Sequence, residues 1–243
     1  MKLAHIYDWP GLEDFTQRVL AKDLALFKTW AIDPGAYVLE LACGTGGLSI
    51  GLARAGYLVT ALEQSQPMLA VAHAKPGAEN VRWGVGDMTA FALDSLMDVV
   101  LCHDDSLNHL LLESDLKKTF FTVYAALKPG GRFVFDVNTL ENYRHFWQGQ
   151  DTYEGPNYRL STLSQFDELS GRAQVLYTAE EHTEAGLKET TETVIEQHYP
   201  DDTIRALLIE AGFTAIWPEA FNPVDDLPEG MTVKTLWFCQ KPQ

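Results

Sequence analysis

Basic residues are scarce in this sequence. It has 18 Lys and Arg against 34 Asp and Glu, which gives a formal net charge of −16. Proteins that bind nucleic acid rely largely on Lys and Arg to neutralise phosphates, and no run of basic residues offsets the deficit here. The composition therefore points to a small-molecule partner and away from RNA or DNA.

Cysteines and long apolar runs are scarce too. Cys43, Cys102 and Cys239 are scattered without metal-ligand spacing, so we predict buried, reduced thiols and no metal site. No apolar stretch is long enough to cross a bilayer, and the first eight residues lack the apolar core of a secretion signal. These absences favour a cytoplasmic globular protein that does not engage a membrane.

The sequence does have a regular alternation of short apolar runs and helical segments. A first strand begins at residue 37, and further strands are predicted over 57–63, 80–87, 98–105 and 132–138, with helices between them. A capped helix over 201–212 and strands over 213–217 and 233–240 follow. This alternation predicts an α/β fold with a Rossmann-like open sheet of seven mostly parallel strands and helices on both faces.

The pattern changes after residue 138. The segments 158–167, 172–183 and 187–198 are rich in β-formers and predict an inserted antiparallel sheet of three strands. We therefore assign 1–138 and 199–243 to one domain and 139–198 to an insertion. The insertion is predicted either to cover a bound substrate or to form a homodimer interface. The aromatic residues at its entry either enclose a cationic substrate or pack the insertion onto the core; they are Tyr143, Phe146, Trp147, Tyr153 and Tyr158.

The most informative stretch is Glu40-Leu-Ala-Cys-Gly-Thr-Gly46, which joins the first strand to the following helix. In a parallel sheet this corner holds a ligand. A dinucleotide site needs the pattern G-x-G-x-x-G, but Ser49 stands where the third glycine belongs. The corner therefore departs from the pattern expected of an NAD-binding oxidoreductase.

Carboxylates recur at the ends of the predicted strands. Since these ends converge on the ligand crevice, the carboxylates would repel a pyrophosphate and suit a cationic ligand with ribose hydroxyls. S-adenosylmethionine carries a sulfonium and an ammonium group and fits this charge pattern. Taken singly, each acid has an ordinary alternative as a helix cap or a solvated loop residue. The acids are Glu40, Glu63, Asp87, Asp104, Asp105 and Asp136.

Together these motifs resemble class I S-adenosylmethionine-dependent methyltransferases of the small-molecule, glycine-N-methyltransferase-like type. The resemblance rests on the glycine motif, Glu63, Gly86-Asp87, the segment after strand four and Leu127-Lys-Pro-Gly-Gly131. It implies S-adenosylmethionine as the methyl donor and S-adenosylhomocysteine as the product. The alternatives are a non-catalytic S-adenosylmethionine-binding protein and, less favoured, the NAD-dependent oxidoreductase.

The resemblance also implies roles for individual residues. Glu40 would face the ammonium group of the cofactor and Glu63 would accept from both ribose hydroxyls. The remaining cofactor-binding residues that it implies are Tyr7, Ala42, Gly44, Gly46, Gln64, Met68, Asp87, Met88 and His103.

Methyl transfer from a sulfonium is a direct displacement that depends mainly on alignment and exclusion of water. A base would help if the acceptor is an amine, because the amine attacks unprotonated. Asn108 and His109 lie in the segment that borders the acceptor in the resembled proteins, so they are the predicted catalytic residues. A purely structural histidine at a helix start is the alternative for His109. The sequence does not distinguish nitrogen from oxygen or carbon as the methylated atom, and the predicted acceptor is a nitrogen or oxygen nucleophile.

Overall fold

The structure is a computed structural model of the 243-residue chain, and it describes residues 2–8, 13–183, 186–222 and 227–243. Its strands, in chain order, are β1 Tyr37–Leu41, β2 Leu58–Glu63, β3 Arg82–Val85, β4 Met97–Cys102, β5 Leu127–Asn138, β6 Gly149–Gly155, β7 Tyr158–Asp167, β8 Arg172–Thr183, β9 Gly186–Gln197, β10 Thr214–Phe221 and β11 Lys234–Gln240. Its α-helices are α1 Glu13–Thr29, α2 Gly47–Arg54, α3 Gln66–His73, α4 Glu113–Ala126, α5 Leu140–Phe146 and α6 Asp201–Ala211. Short 3₁₀ helices span Ala4–Asp8, Ala78–Asn80 and Ser106–His109.

The main sheet has seven strands in the order β10-β11-β5-β4-β1-β2-β3. β11 runs antiparallel to both of its neighbours, and the other pairings are parallel. The predicted seven-stranded, mostly parallel sheet is therefore confirmed.

Helices cover both faces of this sheet because its strands alternate their side chains between two cores. Leu39 and Val100 pack on one face in a core shared with α4 and α6. Val38 and Val99, one residue earlier in each strand, pack on the other face with α1 and α2. The carboxyl ends of β1, β2 and β4 thus open onto one common edge.

A second, antiparallel sheet lies between β5 and α6 along the chain, with the order β6-β7-β8-β9. The prediction of three strands is wrong by one. The missed strand, β6, reads Gly-Gln-Asp-Thr-Tyr-Glu-Gly and is exposed along nearly its whole length. An edge strand with water on both faces needs no apolar alternation, so the sequence carries no pattern that reveals it.

The three cysteines are free and buried, as predicted. No helix in the described part of the chain is long and apolar enough to cross a membrane.

Candidate active site

The site begins at the turn between β1 and α2. Ala42, Gly44 and Gly46 all adopt left-handed backbone conformations, with φ of 52°, 54° and 77°. At Gly46 a Cβ atom would overlap the Trp83 ring. Glycine is needed there on both counts, whereas Ala42 holds the conformation at an energetic cost. The turn brings backbone N–H groups to the start of α2, where an anionic ligand group is favoured.

Glu63, at the end of β2, links the glycine turn to the loop that follows β2 by two hydrogen bonds. Its Oε2 accepts from Gly44 N at 3.1 Å, and its Oε1 accepts from Ser65 N at 2.8 Å. The side chain is buried. Each oxygen keeps a further lone pair, so the carboxylate is held in place while it can still accept from a ligand.

Glu40 lies on β1 and is buried beneath the glycine turn. Its Oε2 accepts from Ser49 Oγ on α2. Burial raises the pKa of Glu40 to about 7, and the Ser49 hydrogen bond and His103 only partly oppose that rise. The residue that breaks the dinucleotide pattern is therefore the hydrogen-bond donor to this carboxylate.

The predicted adenosine-side residues occupy the neighbouring loops. Asp87 is exposed, and its Oδ1 accepts from Thr89 N and Thr89 Oγ1, each at 2.8 Å. Gln64 is exposed, Met88 is half-buried and Met68 is buried on α3. These side chains follow the strand ends next to Glu63.

The N-terminal 3₁₀ helix crosses the glycine turn. Asp8 Oδ1 accepts from Thr45 Oγ1 at 2.8 Å and from Lys75 Nζ at 2.7 Å. Tyr7 is 36% exposed; its partial burial raises the pKa of Tyr7, as do Tyr177 and then Asp104 and Asp105. Tyr7 thus lies where the turn meets the end of β4.

Two surface cavities, of about 280 and 370 Å³, lie at the opposite edge of the sheet. They are lined by residues at the starts of strands, such as Tyr37, Leu58 and Lys128, and they contain none of the predicted site residues.

His103, just after β4, is buried between two carboxylates. Its Nε2 lies 3.1 Å from Asp23 Oδ2 and its Nδ1 lies 3.2 Å from Asp136 Oδ2. Burial opposes the charged form, but Asp23 and Asp136 outweigh it and raise the pKa of His103 to about 10. The ring is therefore an imidazolium engaged in structural ion pairs, and only its backbone is left for the predicted contact with the cofactor.

Asp136 on β5 organises the turn that follows β4. Besides His103, it accepts from Asp104 N at 2.8 Å and Asp105 N at 2.9 Å, and both of these residues are left-handed. Burial opposes ionisation of Asp136, but Lys234 and His103 hold its pKa well below the usual range. The turn thereby directs two consecutive aspartates toward the edge of the sheet.

Lys234, at the start of β11, is a second buried cation of this cluster, beside His103. Its Nζ donates to Asp105 Oδ2 at 2.8 Å and to Asp136 Oδ1 at 2.9 Å. Sequence reasoning missed it because no local pattern marks it. It reaches the site through the antiparallel pairing of β11 with β5, in which it lies opposite Asn138.

The two predicted catalytic residues lie in the 3₁₀ helix after β4 but differ in environment. Asn108 is fully buried; its Nδ2 donates to Gln197 O at 2.8 Å and its Oδ1 accepts from Asn138 N at 3.0 Å. The His109 side chain is 38% exposed, and its Nε2 lies 3.9 Å from Glu196 Oε1. These contacts favour a positioning role for Asn108 and leave His109 as the accessible side chain.

Glu196, which the sequence did not single out, reaches this edge from β9 of the second sheet. Its Oε2 accepts from Tyr143 OH at 2.7 Å and from Asn138 Nδ2 at 2.9 Å. Burial, followed by the nearby Asp105, raises the pKa of Glu196. Glu189 and Glu192 precede Glu196 on the same strand, so nothing in the local sequence distinguishes the buried glutamate from the other two.

Strand order and glycine turn together define the class I methyltransferase fold. Residues 38–131 match the family model described as "Methyltransferase domain", so the resemblance seen in the sequence is confirmed for this part of the chain.

Two relatives illustrate the extent of the similarity. A putative methyltransferase of Geobacillus sp. (strain WCH70) is 40% identical over 113 residues, which cover 46% of each chain. The match therefore spans about half the length of that curated relative. A crystal structure of an S-adenosylmethionine-dependent methyltransferase from Clostridium acetobutylicum aligns over 100% of this chain and 98% of its own, with a TM-score of 0.81 and 22% identity.

A third similar structure is described as an S-adenosylmethionine-bound amino pentose methyltransferase from Micromonospora echinaspora. It covers 99% of this chain and 95% of its own, with a TM-score of 0.72 and 20% identity. At this level of identity, both structural matches show the fold.

Proposed function

We propose that this protein transfers the methyl group of S-adenosylmethionine to a nitrogen or oxygen atom of a small molecule. The observation that carries the proposal is the Glu63 carboxylate, which is fixed by Gly44 N and Ser65 N at the end of β2 and retains acceptor capacity. A carboxylate held in this way suits a pair of ribose hydroxyls.

The charged groups around the glycine turn also support S-adenosylmethionine as the methyl donor. Glu40 is buried beside the turn and would face the ammonium group, while the N–H groups of the turn would take the carboxylate. Gln64, Met68, Asp87 and Met88 would border the adenosine, and Tyr7 would cover it. The residues present therefore fit S-adenosylmethionine. The solved relative described as bound to that molecule is consistent with this choice.

The bound donor would supply an electrophilic methyl group on a sulfonium. The protein's part is to align the acceptor with that group and to exclude water. His109, as the accessible base, would receive a proton from the acceptor. Asn108 would hold the 3₁₀ helix of His109 against β5 and β9 through its backbone hydrogen bonds.

Calorimetry with S-adenosylmethionine, S-adenosylhomocysteine and NAD tests the donor. We expect both adenosyl ligands to bind. Glu63→Gln should weaken their binding by about 1–3 kcal/mol, because one fixed hydrogen-bond acceptor is lost. Glu210→Gln, which changes an exposed carboxylate paired with Lys117, is the matched control. Binding of NAD without the adenosyl ligands would favour the oxidoreductase.

A metabolite screen for methyl transfer then separates the enzyme from a non-catalytic binding protein. Binding of the donor without turnover of any acceptor would favour the latter. His109→Ala on a confirmed acceptor should lower the turnover rate if His109 is the base, and an unchanged rate would remove it from the mechanism.

The division of the chain at 139 and 198, and a homodimer through the inserted sheet, are part of this proposal. The outer edge of β6 is unpaired in the main-chain pairing of the described residues, which is the geometry that a second copy would use. Sedimentation velocity over a range of protein concentrations tests the dimer.

A further inference from the structure

Glu40 is a buried carboxylate whose charge the surrounding protein does not balance. Its side chain is 6% exposed, and Ser49 Oγ on α2 donates a hydrogen bond to its Oε2. Ser49 is itself fully buried, so this donor is neutral and shielded from water. A buried carboxylate that is held by a neutral hydroxyl, with no cation paired to it, is costly to ionise.

The one cation that acts on Glu40 is already engaged by other carboxylates. His103 Nε2 lies 3.1 Å from Asp23 Oδ2, and its Nδ1 lies 3.2 Å from Asp136 Oδ2. His103 favours the ionised form of Glu40, whereas Asp23 on α1 opposes it. In the described ranges of the chain, no lysine or arginine forms an ion pair with Glu40.

The remaining titratable groups around Glu40 do not supply a positive charge either. Cys43 in the glycine turn and Cys102 at the end of β4 are buried. Burial and then nearby carboxylates, Glu40 among them, raise the pKa of both thiols, which are therefore neutral. Glu63, at the end of the neighbouring strand, adds a further negative charge near Cys43.

The methyl donor would bring the missing charge. In the proposed site its ammonium group faces Glu40, and an ammonium group offers both hydrogen-bond donors and a positive charge. A carboxylate has about four lone-pair sites, so the hydrogen bond from Ser49 leaves capacity for the ligand. An opposite charge favours the ionised form of a buried carboxylate, and Glu40 should therefore ionise as the donor binds.

We propose that Glu40 recognises the amino group of the methyl donor by releasing a proton to the solvent when the donor binds, and that Ser49 is the positioning residue that holds Glu40 for this exchange. The inference rests on the proposed function and adds one proton to its binding equilibrium. It also gives a role to Ser49, which stands where a dinucleotide site has its third glycine.

The sign of the resulting pH dependence follows from burial, which raises the pKa of Glu40 to about 7. Below that pH the free protein carries the proton and the complex does not. Affinity for the donor therefore rises with pH up to about 7 and then levels off.

The test uses the full chain with S-adenosylhomocysteine and with its deamino analogue, which keeps the adenosine, the sulfur and the carboxylate but lacks the amino group. Both are titrated by calorimetry from about pH 5.5 to about pH 7, where the amino group stays protonated. We expect the ratio of the two affinities to rise about tenfold in favour of S-adenosylhomocysteine, because one proton is exchanged.

The released proton is counted from the binding heats in two buffers that differ in ionisation enthalpy. At about pH 6 we expect about one proton per S-adenosylhomocysteine and none for the deamino analogue. Glu40→Gln should abolish the release and make the affinity ratio independent of pH.

Ser49→Ala separates a positioning role from a merely structural one. At about pH 7 the wild type should release about half a proton, whereas Ser49→Ala should release about a full one, because a hydrogen bond that favours the ionised carboxylate is lost. Thr119→Val is the matched control. Thr119 is fully buried on α4 and its Oγ1 donates to Asp115 O at 3.0 Å, so this variant loses a buried hydroxyl elsewhere and should release as much as the wild type.

An affinity ratio that stays constant with pH in the wild-type protein overturns the inference, and this comparison does not depend on whether a variant folds. Wild-type proton release by Ser49→Ala would remove Ser49 from the exchange. Failure of S-adenosylhomocysteine to bind at any pH refutes the proposed function, whereas its binding with a constant ratio refutes only this inference.

Discussion

At the scale of single residues, Glu40 shows how burial and one hydrogen bond set the properties of a carboxylate. Its strand places it under the glycine turn, where Ser49 on α2 donates a hydrogen bond to it. A partly protonated carboxylate near neutral pH is the result, since desolvation outweighs the favourable contacts.

A pH-dependent stability follows from this environment. Folded Glu40 holds its proton up to a pKa of about 7, whereas the ordinary value is 4.5. Between those values the folded state binds more protons, so the contribution of Glu40 to the free energy of unfolding falls as the pH rises and is constant above about 7. Glu40→Gln removes that contribution. We expect the wild-type protein to lose about 3 kcal/mol relative to the variant between about pH 4 and pH 8.

Urea unfolding of both proteins across this pH range measures the effect. Glu210→Gln, which changes an exposed carboxylate, should follow the wild type. Parallel curves for the wild type and Glu40→Gln would show that the carboxylate is already ionised in the folded state.

Site residues that lie within one strand and its following turn could be predicted from the sequence. Residues that are distant along the chain and are brought to the site by the tertiary fold were missed. Glu40 and Glu63 could be placed because strand ends converge. Lys234 and Glu196 could not, because an antiparallel strand and a second sheet carry them to the site. Asp23, the α1 partner of His103, was also missed, since one acid in a solvated helix has no distinguishing pattern.

At the scale of secondary-structure elements, the glycine turn depends on close packing as well as on backbone conformation. Gly35 and Gly46 both have positive φ, 93° and 77°. A Cβ at Gly35 would meet nothing within 4 Å, whereas one at Gly46 would overlap Trp83 on β3. The two positions therefore separate the cost of strain from the cost of the overlap.

We expect Gly35→Ala to destabilise the protein by about 1–2 kcal/mol through its backbone conformation. Gly46→Ala should cost about 1–3 kcal/mol more, because the ring and the turn must move apart. Chemical denaturation of both variants measures the difference. Similar losses of stability would mean that the Trp83 ring moves aside freely.

Hydrophobic periodicity was sufficient for most elements and failed where periodicity is absent. β7 and β8 have the bounds that their apolar alternation predicted. β6, exposed and polar, was missed, and β10 extends to Phe221 beyond its predicted end at residue 217. The last residues of β10 are stabilised by their pairing with β11, and the sequence of β10 alone gives no indication of that pairing.

At the scale of the whole molecule, the N-terminal 3₁₀ helix connects the two sheets. Leu3 and Ile6 pack on Leu160 and Ala179 of the second sheet. Asp8, at the end of the same helix, holds Thr45 on the glycine turn. One short segment thus contacts both the predicted cofactor site and the sheet that carries Glu196.

Asp8→Ala should therefore affect ligand affinity more than folding. Its pair with Lys75 is partly exposed, so we expect a loss of unfolding free energy below about 1 kcal/mol. Loss of the hydrogen bond to Thr45 should weaken the binding of S-adenosylmethionine by about 1 kcal/mol, because the glycine turn is then no longer fixed by Asp8. Calorimetry and urea unfolding measure the two effects.

Asp151→Ala, an exposed change on β6, serves as the control and should alter neither quantity. A large loss of stability in Asp8→Ala with unchanged affinity would show that the segment is needed for folding alone.

The attachment of this one helix to both sheets has a consequence for the order of events in turnover. In the proposed mechanism the spent methyl donor lies at the glycine turn, so we expect its departure to need this helix to lift and to disturb the packing beside Tyr177. An acceptor or product that steadies the second sheet would therefore slow the exit of the donor. We expect the methylated product to depart first and S-adenosylhomocysteine last, a sequence that product-inhibition kinetics would reveal.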